Sequence, residues 1–278
     1  MSHIALFANP DSGSGEAGSV VGLLEARGAR VTSFSLDELE RADVAGAHRL
    51  AVAGGDGSVG AVAELARRSR LPLAVIPSGT ANDFARSLDL PDDAEEAADL
   101  AVHGRVTRPL DLGHAGDGPF VNAASAGLSP MAARDAHGLK GALGPLAYAV
   151  GAVRAGLRSE PVHCRVVCDG EEAFAGRAWQ VIVALTGAFG GGAEVEADPA
   201  DGRLDVVVVE AGSRARLVLH AYGMRAGDLD SQKGVVRCGG RRVELETERG
   251  GFNVDGEIID RERLELSVEP RAFQVVVA

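Results

Sequence analysis

Basic residues are scarce in this 278-residue chain: 28 Lys and Arg against 40 Asp and Glu leave a formal charge of −12. A surface of that sign matches poorly with nucleic acid, whose phosphates reward a basic patch, and with simple electrostatic adhesion to anionic membranes. Cysteine is scarcer still. Cys164, Cys168 and Cys238 are odd in number and contain no C-x-x-C pair, which speaks against a disulfide framework or a zinc site and for a reduced, cytoplasmic chain. Uninterrupted apolar runs are missing too. The most apolar stretch, Leu139–Leu157, is broken by Gly141, Gly144, Pro145, Gly151 and Gly156 and carries Lys140 and Arg154, so it reads as a core helix and no transmembrane segment is expected. The start, MSHIALFANP, has no basic or long apolar leader of the secretory kind. The seven histidines show no H-x-x-x-H spacing, so none is read as a metal ligand. Aromatic residues make up only 4%.

Glycine is abundant in their place, at 37 residues, and with 46% hydrophobic and 24% charged residues the chain has the composition of a folded domain with many tight turns. The length allows one large domain or two ordinary ones. Short apolar runs at Ile4–Ala8, Arg30–Phe34, Arg49–Ala53 and Leu73–Ile76 alternate with helical patterns. Those helices fall around Val20–Leu24, at Leu36–Ala47 with Asp37 as N-cap, and at Val59–Arg68, Ala81–Leu88 and Ala94–Val102. That βα alternation predicts a parallel sheet with helices on both faces. Beyond about residue 105 the pattern changes to short β-branched segments: Val162–Val167, Ala178–Leu185, Leu204–Val209, Arg242–Glu246, Leu264–Val268 and Phe273–Val277. These predict a mostly antiparallel β domain, with helices near Gly141–Gly156 and Arg214–Tyr222. The expected division is 1–112 for an α/β domain and 113–278 for a β-rich one, with a crevice between them as a natural ligand site.

Three loops of the first domain fall where strands end and helices begin, which is where open parallel sheets bind ligands. They are Asn9-Pro10-Asp11-Ser12-Gly13, Gly54-Gly55-Asp56-Gly57-Ser58 and Pro77-Ser78-Gly79-Thr80-Ala81-Asn82-Asp83. Glycine admits backbone close to a phosphate, and helix N-termini favour an anion. None of the three is a P-loop or a dinucleotide fingerprint. Asp56 and Asp83 would repel a bare triphosphate, so a divalent cation such as Mg²⁺ is implied wherever phosphate approaches them.

The succession NPDSGSG, GGDGS and PSGTANDFAR, followed by Gly190-Gly191-Gly192, by Asp198-Pro199-Ala200-Asp201-Gly202-Arg203-Leu204-Asp205 and by Asn253-Val254-Asp255-Gly256-Glu257, resembles the diacylglycerol kinase and sphingosine kinase catalytic-domain family. The likeness is to its soluble bacterial lipid-kinase branch and covers essentially the whole chain. It implies a three-layer α/β domain of the NAD kinase and diacylglycerol kinase type joined to a β-sandwich, and ATP-dependent transfer of the γ-phosphoryl group to a lipid hydroxyl. It sets the nucleotide across Asn9, Pro10, Asp11, Ser12 and Gly13 and across Gly54, Gly55, Asp56, Gly57, Ser58, Val59, Gly60 and Ala61, with Thr80, Asn82 and Asp83 from the third loop and Ser35 from the second strand region. Asp56 would hold Mg²⁺ through water, Glu257 would be the general base, and Asp255 would share that role or hold metal. A structural Mg²⁺ would take the side chain of Asp201 and the main-chain oxygens of Asp198 and Arg203. The lipid would be met transiently at the membrane surface, with the apolar segment 139–153 or the helix 214–225 as contact; a homodimer is left open.

Two departures keep other readings in view: Gly60 and Ala61 stand where the family often has Asn and Glu, and Thr186-Gly187 where Gly-Asn is usual. The rivals are a small-molecule kinase of the NAD kinase kind, since GGDG is shared with that group, and a catalytically silent nucleotide or lipid sensor.

Overall fold

The computed structural model describes residues 2–8, 13–128, 160–190, 193–214, 220, 232–248 and 251–278. The first strand, β1 (His3–Ala8), alternates its side chains between two faces. Ala5 and Phe7 join one core and Ile4, Leu6 and Ala8 another. With β2 (Arg30–Ser35), β3 (Arg49–Gly54) and β4 (Leu73–Pro77) it makes a parallel sheet in the order β2-β1-β3-β4. Helix α2 (Asp56–Ser69) covers one face through Val59, Val62, Ala63 and Ala66. Helices α1 (Gly13–Ala26) and α4 (Ala94–His103) cover the other through Val20, Leu24, Ala97, Ala98 and Ala101. Each fully buried Ile, Leu or Phe of these layers contributes about 1.5–3 kcal/mol by leaving water, and this double burial is why the strands read as nearly unbroken apolar runs.

The second half is antiparallel, as its β-branched pattern predicts. After β5 (Val106–Ala115), β6 (Gly118–Phe120) and β7 (Ala123–Gly127) come β8 (Val162–Cys168), β9 (Glu171–Ala184), the short β10 (Ala188–Phe189) and β11 (Ala193–Glu194), and β12 (Leu204–Glu210). Then follow β13 (Val235–Gly240), β14 (Arg242–Thr247), β15 (Phe252–Val254), β16 (Glu257–Ile259) and β17 (Arg263–Val277). The path β16-β15-β7-β9-β8-β14-β17-β4-β3-β1-β2 makes one sheet of the two halves, with β12 and β13 branching from β9 and with β5 and β6 lying beside β17. Strand β5 runs through the expected boundary at 112/113 and pairs with β17 along most of its length. The far end of β17 reaches β4 at Val275↔Leu73. Among the described residues no helix is long and apolar enough to cross a membrane.

Three expectations need correction. The helix at Leu36–Ala47 is only one 3-10 turn, Leu36–Glu38, and its N-cap is Ser35 rather than Asp37. Ser35 and Glu38 form a reciprocal capping box, and Asp43 then accepts the Ala45 N–H at 2.9 Å. Such local side-chain bonds compete with helix propagation, while Leu36, Leu39, Ala42 and Val44 still pack on the core as irregular chain. The helix at Ala81–Leu88 shrinks to α3 (Asp83–Ser87), because Asn82 is left-handed, at φ 51°. The segments Leu264–Val268 and Phe273–Val277 are one strand, β17, with a register shift between Glu269 and Phe273. The helices expected at Gly141–Gly156 and Arg214–Tyr222 fall outside the described residues, apart from Arg214 and His220.

The irregularity in β17 has a cause. Asp111, 1% exposed, accepts the Arg271 N–H at 2.7 Å with one oxygen and the Gly202 N–H at 2.6 Å with the other. Its own N–H donates to the Pro199 carbonyl. Burial pushes its carboxyl above the usual range, and the nearby charges of Asp201 and Asp198 push the same way. One carboxylate thus fastens β5, the bulge of β17 and the 198–203 turn. Asp111→Ala leaves two enclosed N–H groups unpaired at about 1–3 kcal/mol each, so the denaturant midpoint should drop markedly without a change in slope.

Candidate active site

The C-terminal ends of the parallel strands lie along one edge, with Ala8 level with both Ser35 and Ala53, and Gly54 level with Pro77. The three expected loops leave the sheet here. Residues 9–12 of the first lie outside the described residues, and Gly13 opens α1. The second and third loops touch backbone to backbone. The Ser78 N–H donates to the Gly54 carbonyl at 3.1 Å. A Cβ on Gly79 would stand 2.6 Å from the Gly55 Cα and 2.8 Å from Asn82 Oδ1, and one on Gly54 would stand 2.8 Å from the Ser58 side chain. Gly55 and Gly79 are therefore already required by loop-on-loop packing, and Gly54 by the Ser58 side chain of its own loop.

Within this pair of loops Asn82, Asp83 and Asp56 are engaged by the protein itself. Asn82 Oδ1 accepts the Gly79 N–H at 2.9 Å, and Asp83, 4% exposed, pairs with Arg86 at 2.9 Å. Asp56, at the start of α2, reaches across to the start of α3: its carboxylate accepts from the N–H of Asp83 at 3.2 Å and of Phe84 at 2.9 Å. The third donor to Asp56 is the side-chain amide of Asn122, at 2.9 Å.

Asn122 is a residue the sequence reading did not single out. Buried between β6 and β7, it uses every polar atom. Its side-chain oxygen accepts from the Thr186 hydroxyl at 2.9 Å, its carbonyl accepts from the N–H of Leu185 and of Thr186, and its own N–H donates to Asp255 at 3.0 Å. The available signal was a lone amide in the apolar run Phe120-Val121-Asn122-Ala123, where an unpaired polar group would be costly.

Asp255 closes the arrangement. With Gly256 it forms the two-residue turn between β15 and β16, at φ 45° and 94°, the twist a tight hairpin needs and one that Asp-Gly adopts readily. Asn253 supports the turn by accepting the Gly256 N–H at 2.9 Å. The Asp255 carboxylate points inward and accepts three backbone N–H groups, from Val121 at 2.7 Å and from Asn122 and Ala123 at 3.0 Å. Burial of the group pushes its carboxyl up to about 7 against the pull of those donors, and the negative charge of Asp56 adds to the rise. Three N–H donors occupy this carboxylate and hold the turn in place.

The turn delivers Glu257. Exposed at the first position of β16, its Oε1 lies 3.9 Å from where a Cβ on Gly57 would stand. The carboxylate is thus set against the first turn of α2, whose N-terminus favours negative charge. A cleft of about 160 Å³ opens there, lined by Gly57, Ala61, Pro119, Val254, Glu257 and Ile259.

The other expected site residues divide in two. Thr80 is exposed on the third loop and Ser58 is half-buried on α2, both at the same sheet edge. Ser35 is at that edge as well, with its hydroxyl accepting from the Asp37 N–H. Val59 and Gly60 are turned into the protein, Val59 into the core and Gly60 toward the Pro119 carbonyl and Asp255. Asp198, Asp201 and Arg203 belong to the separate turn before β12. There Asp201 accepts the Arg203 N–H at 2.9 Å and Asp198 faces Arg108 at 3.4 Å. Among the described residues no cluster of three or more His, Cys, Asp and Glu surrounds a common point.

Comparison with known proteins agrees with the geometry. The diacylglycerol kinase catalytic domain matches residues 3–115, and the YegS C-terminal NAD kinase beta sandwich-like domain matches residues 122–277. The chain is 32% identical to the diacylglycerol kinase of Bacillus subtilis over 74% of its own length and 69% of that protein's. It is 33% identical to a probable YegS-like lipid kinase of Pseudomonas aeruginosa, over 85% of its own length and 79% of the other's. A diacylglycerol kinase crystal structure from Bacillus anthracis superposes with a TM-score of 0.79 at 22% identity, over 100% of this chain and 97% of that one. An NAD kinase from Archaeoglobus fulgidus shares the fold more distantly, with a TM-score of 0.53 at 13% identity over 99% and 93% of the two chains. The chain therefore belongs to the bacterial diacylglycerol kinase and YegS-like lipid kinase family, and it is a lipid kinase.

Proposed function

We propose that this kinase phosphorylates a membrane-lipid hydroxyl with Glu257 as general base, and that Asp255 and Asn122 are positioning residues. The observation that carries the reading is the Glu257 carboxylate set against Gly57 at the head of α2, beside the loops that the family resemblance gives to the nucleotide. Residues 1–112 would hold ATP, through the first loop (Asn9, Pro10, Asp11, Ser12 and Gly13), the second loop (Gly54 to Ala61) and Thr80, with Ser35, Asn82 and Asp83 shaping the edge. Residues 113–278 would supply the acceptor side. The cleft is mostly apolar, and Ile258, next to Glu257, is 37% exposed, which suits an acceptor carrying an apolar tail. Contact with the bilayer would then be peripheral, local and apolar, since a net charge of −12 gives no whole-molecule attraction.

Within the cleft, Glu257 would accept the proton of the acceptor hydroxyl as that oxygen attacks phosphorus. The α2 N-terminus would stabilise charge on the transferring group. A bound Mg²⁺ would neutralise phosphate charge. A carboxylate offers about four lone-pair positions, and Asp56 already gives three to N–H donors, so the donor set fits an ion held through water better than a directly ligated one. The turn containing Asp198, Asp201 and Arg203 offers only oxygen donors, a chemistry suited to a second, structural Mg²⁺. Such an ion would also relieve the mutual repulsion of Asp111, Asp198 and Asp201.

Glu257→Gln should lower turnover on a total lipid extract with labelled ATP by roughly 10²–10⁴-fold and leave the melting temperature unchanged, because the side chain is exposed. Retained turnover would remove Glu257 from the chemistry; ATP binding in the unmutated protein without turnover on any lipid would favour a sensor instead. Asp255→Asn, which puts an NH2 group in place of one of the two oxygens that accept these three N–H groups, should cost about 1–3 kcal/mol in unfolding free energy. In carboxyl-resolved NMR, Asp255 should titrate near 7 without metal and at lower pH with saturating Mg²⁺, since a nearby cation favours the ionised form. An unchanged midpoint would mean that the ion does not sit near Asp56.

A further inference from the structure

Cys168 and Cys238 are 70 residues apart in sequence, yet their sulfurs lie 3.1 Å from each other. Cys168 ends β8, where it pairs with Val243 of β14; Cys238 sits in β13, where it pairs with Val206 of β12. Both thiols point into the same apolar cluster, in which Cys168, Val206 and Val243 are buried and Cys238 is packed at the margin. The backbone here is held independently of the sulfurs. Asp169 accepts the N–H of Arg241 and of Arg242, both at 2.9 Å, and its own N–H donates to the Arg242 carbonyl at 2.9 Å. A Cβ on Gly240 would stand 2.6 Å from the Asp169 carboxylate, so the corner from β13 to β14 closes tightly over the residue next to Cys168.

We propose that Cys168 and Cys238 form a reversible disulfide when the protein meets a peroxide. A disulfide bond is about 2.05 Å long, so the sulfurs need to approach by only about 1 Å across a corner that is already fastened. Access and reactivity differ along the pair. Cys238 is partly exposed and Cys168 is buried. The Cys168 thiol donates its hydrogen bond to Cys238, which favours the thiolate at Cys238 and holds the proton on Cys168. Cys238 is therefore the sulfur that attacks. Its thiolate displaces hydroxide from hydrogen peroxide, the O–O bond breaks, the hydroxide takes a proton to leave as water, and Cys238 becomes a sulfenic acid. The Cys168 sulfur then attacks the Cys238 sulfur, loses its proton, and expels the second oxygen as water. Two thiols have lost two electrons in all, and one peroxide has become two waters. Cys164 supplies an internal control: it is buried in the same half, with its thiol pushed up to about 11 by burial, and among the described residues it makes no hydrogen bond to another sulfur.

The test is to treat the full chain with stoichiometric hydrogen peroxide, alkylate under denaturing conditions, and map the peptides. Free thiols should fall from three to one, with an intramolecular link between the Cys168 and Cys238 peptides, Cys164 still alkylated, and all three thiols restored by dithiothreitol. The linked form should melt at higher temperature than the reduced form, because the bridge closes a long loop. Cys238→Ser should keep both remaining thiols through the same treatment. Three thiols surviving, a link that includes Cys164 or joins two chains, or Cys238 oxidised past sulfenic acid without linking would each overturn the proposal.

Discussion

The edge where the two halves meet hangs on three backbone N–H groups, those of Val121, Asn122 and Ala123, converging on one carboxylate, Asp255. They hold a hairpin turn that would otherwise end in solvent. The same stretch carries Asn122, whose amide bonds Asp56 across the two halves and thereby joins the loops after β3 and β4 to the β-rich half. Neither half could position Glu257 alone. The α/β half provides the helix N-terminus and the glycine loops, the β half provides the turn, and the hydrogen bonds between Asp56, Asn122 and Asp255 set the distance between them. A buried polar network of this kind is worth keeping only when every member is satisfied, and each atom of Asn122 has a partner.

Acidic residues gain a specific meaning from this arrangement. Asp56, Asp111, Asp169 and Asp255 each accept two or more N–H donors and fasten a loop, a bulge, a corner and a turn in that order. Carboxylates that serve as acceptors inside the fold add nothing to adhesion at an anionic surface. The glycine load has a similar explanation. At Gly55 and Gly79 the constraint is one loop passing against another, and at Gly54 it is the Ser58 side chain of the same loop.

Much of this was legible beforehand. The switch from alternating strands and helices to short antiparallel strands falls between α4 and β5, and the structure brings Asp56 and Asp255 to a common partner, Asn122. Local bonds defeated the periodicity at Leu36–Ala47, where the Ser35 and Glu38 capping box and the Asp43 turn hold an apolar-patterned stretch as irregular chain. Asn122 was missed for the opposite reason. Its meaning lies in partners 66 and 133 residues away, and no local pattern reports a hydrogen bond of that range. For Asp255, adjacency to Glu257 is visible in sequence, whereas the three N–H donors of Val121, Asn122 and Ala123 are not.

The bridge through Asn122 is proposed to position the base and to leave nucleotide binding to the loops. Its most direct test is Asn122→Leu, followed by calorimetric ATP affinity and the single-turnover rate of phosphoryl transfer to lipid. Misplacing a reacting group by about 1 Å costs about 10²-fold, so the rate should fall by that order while ATP affinity stays within a few-fold of the unmutated protein. An unchanged rate, or a loss confined to ATP affinity, would contradict it.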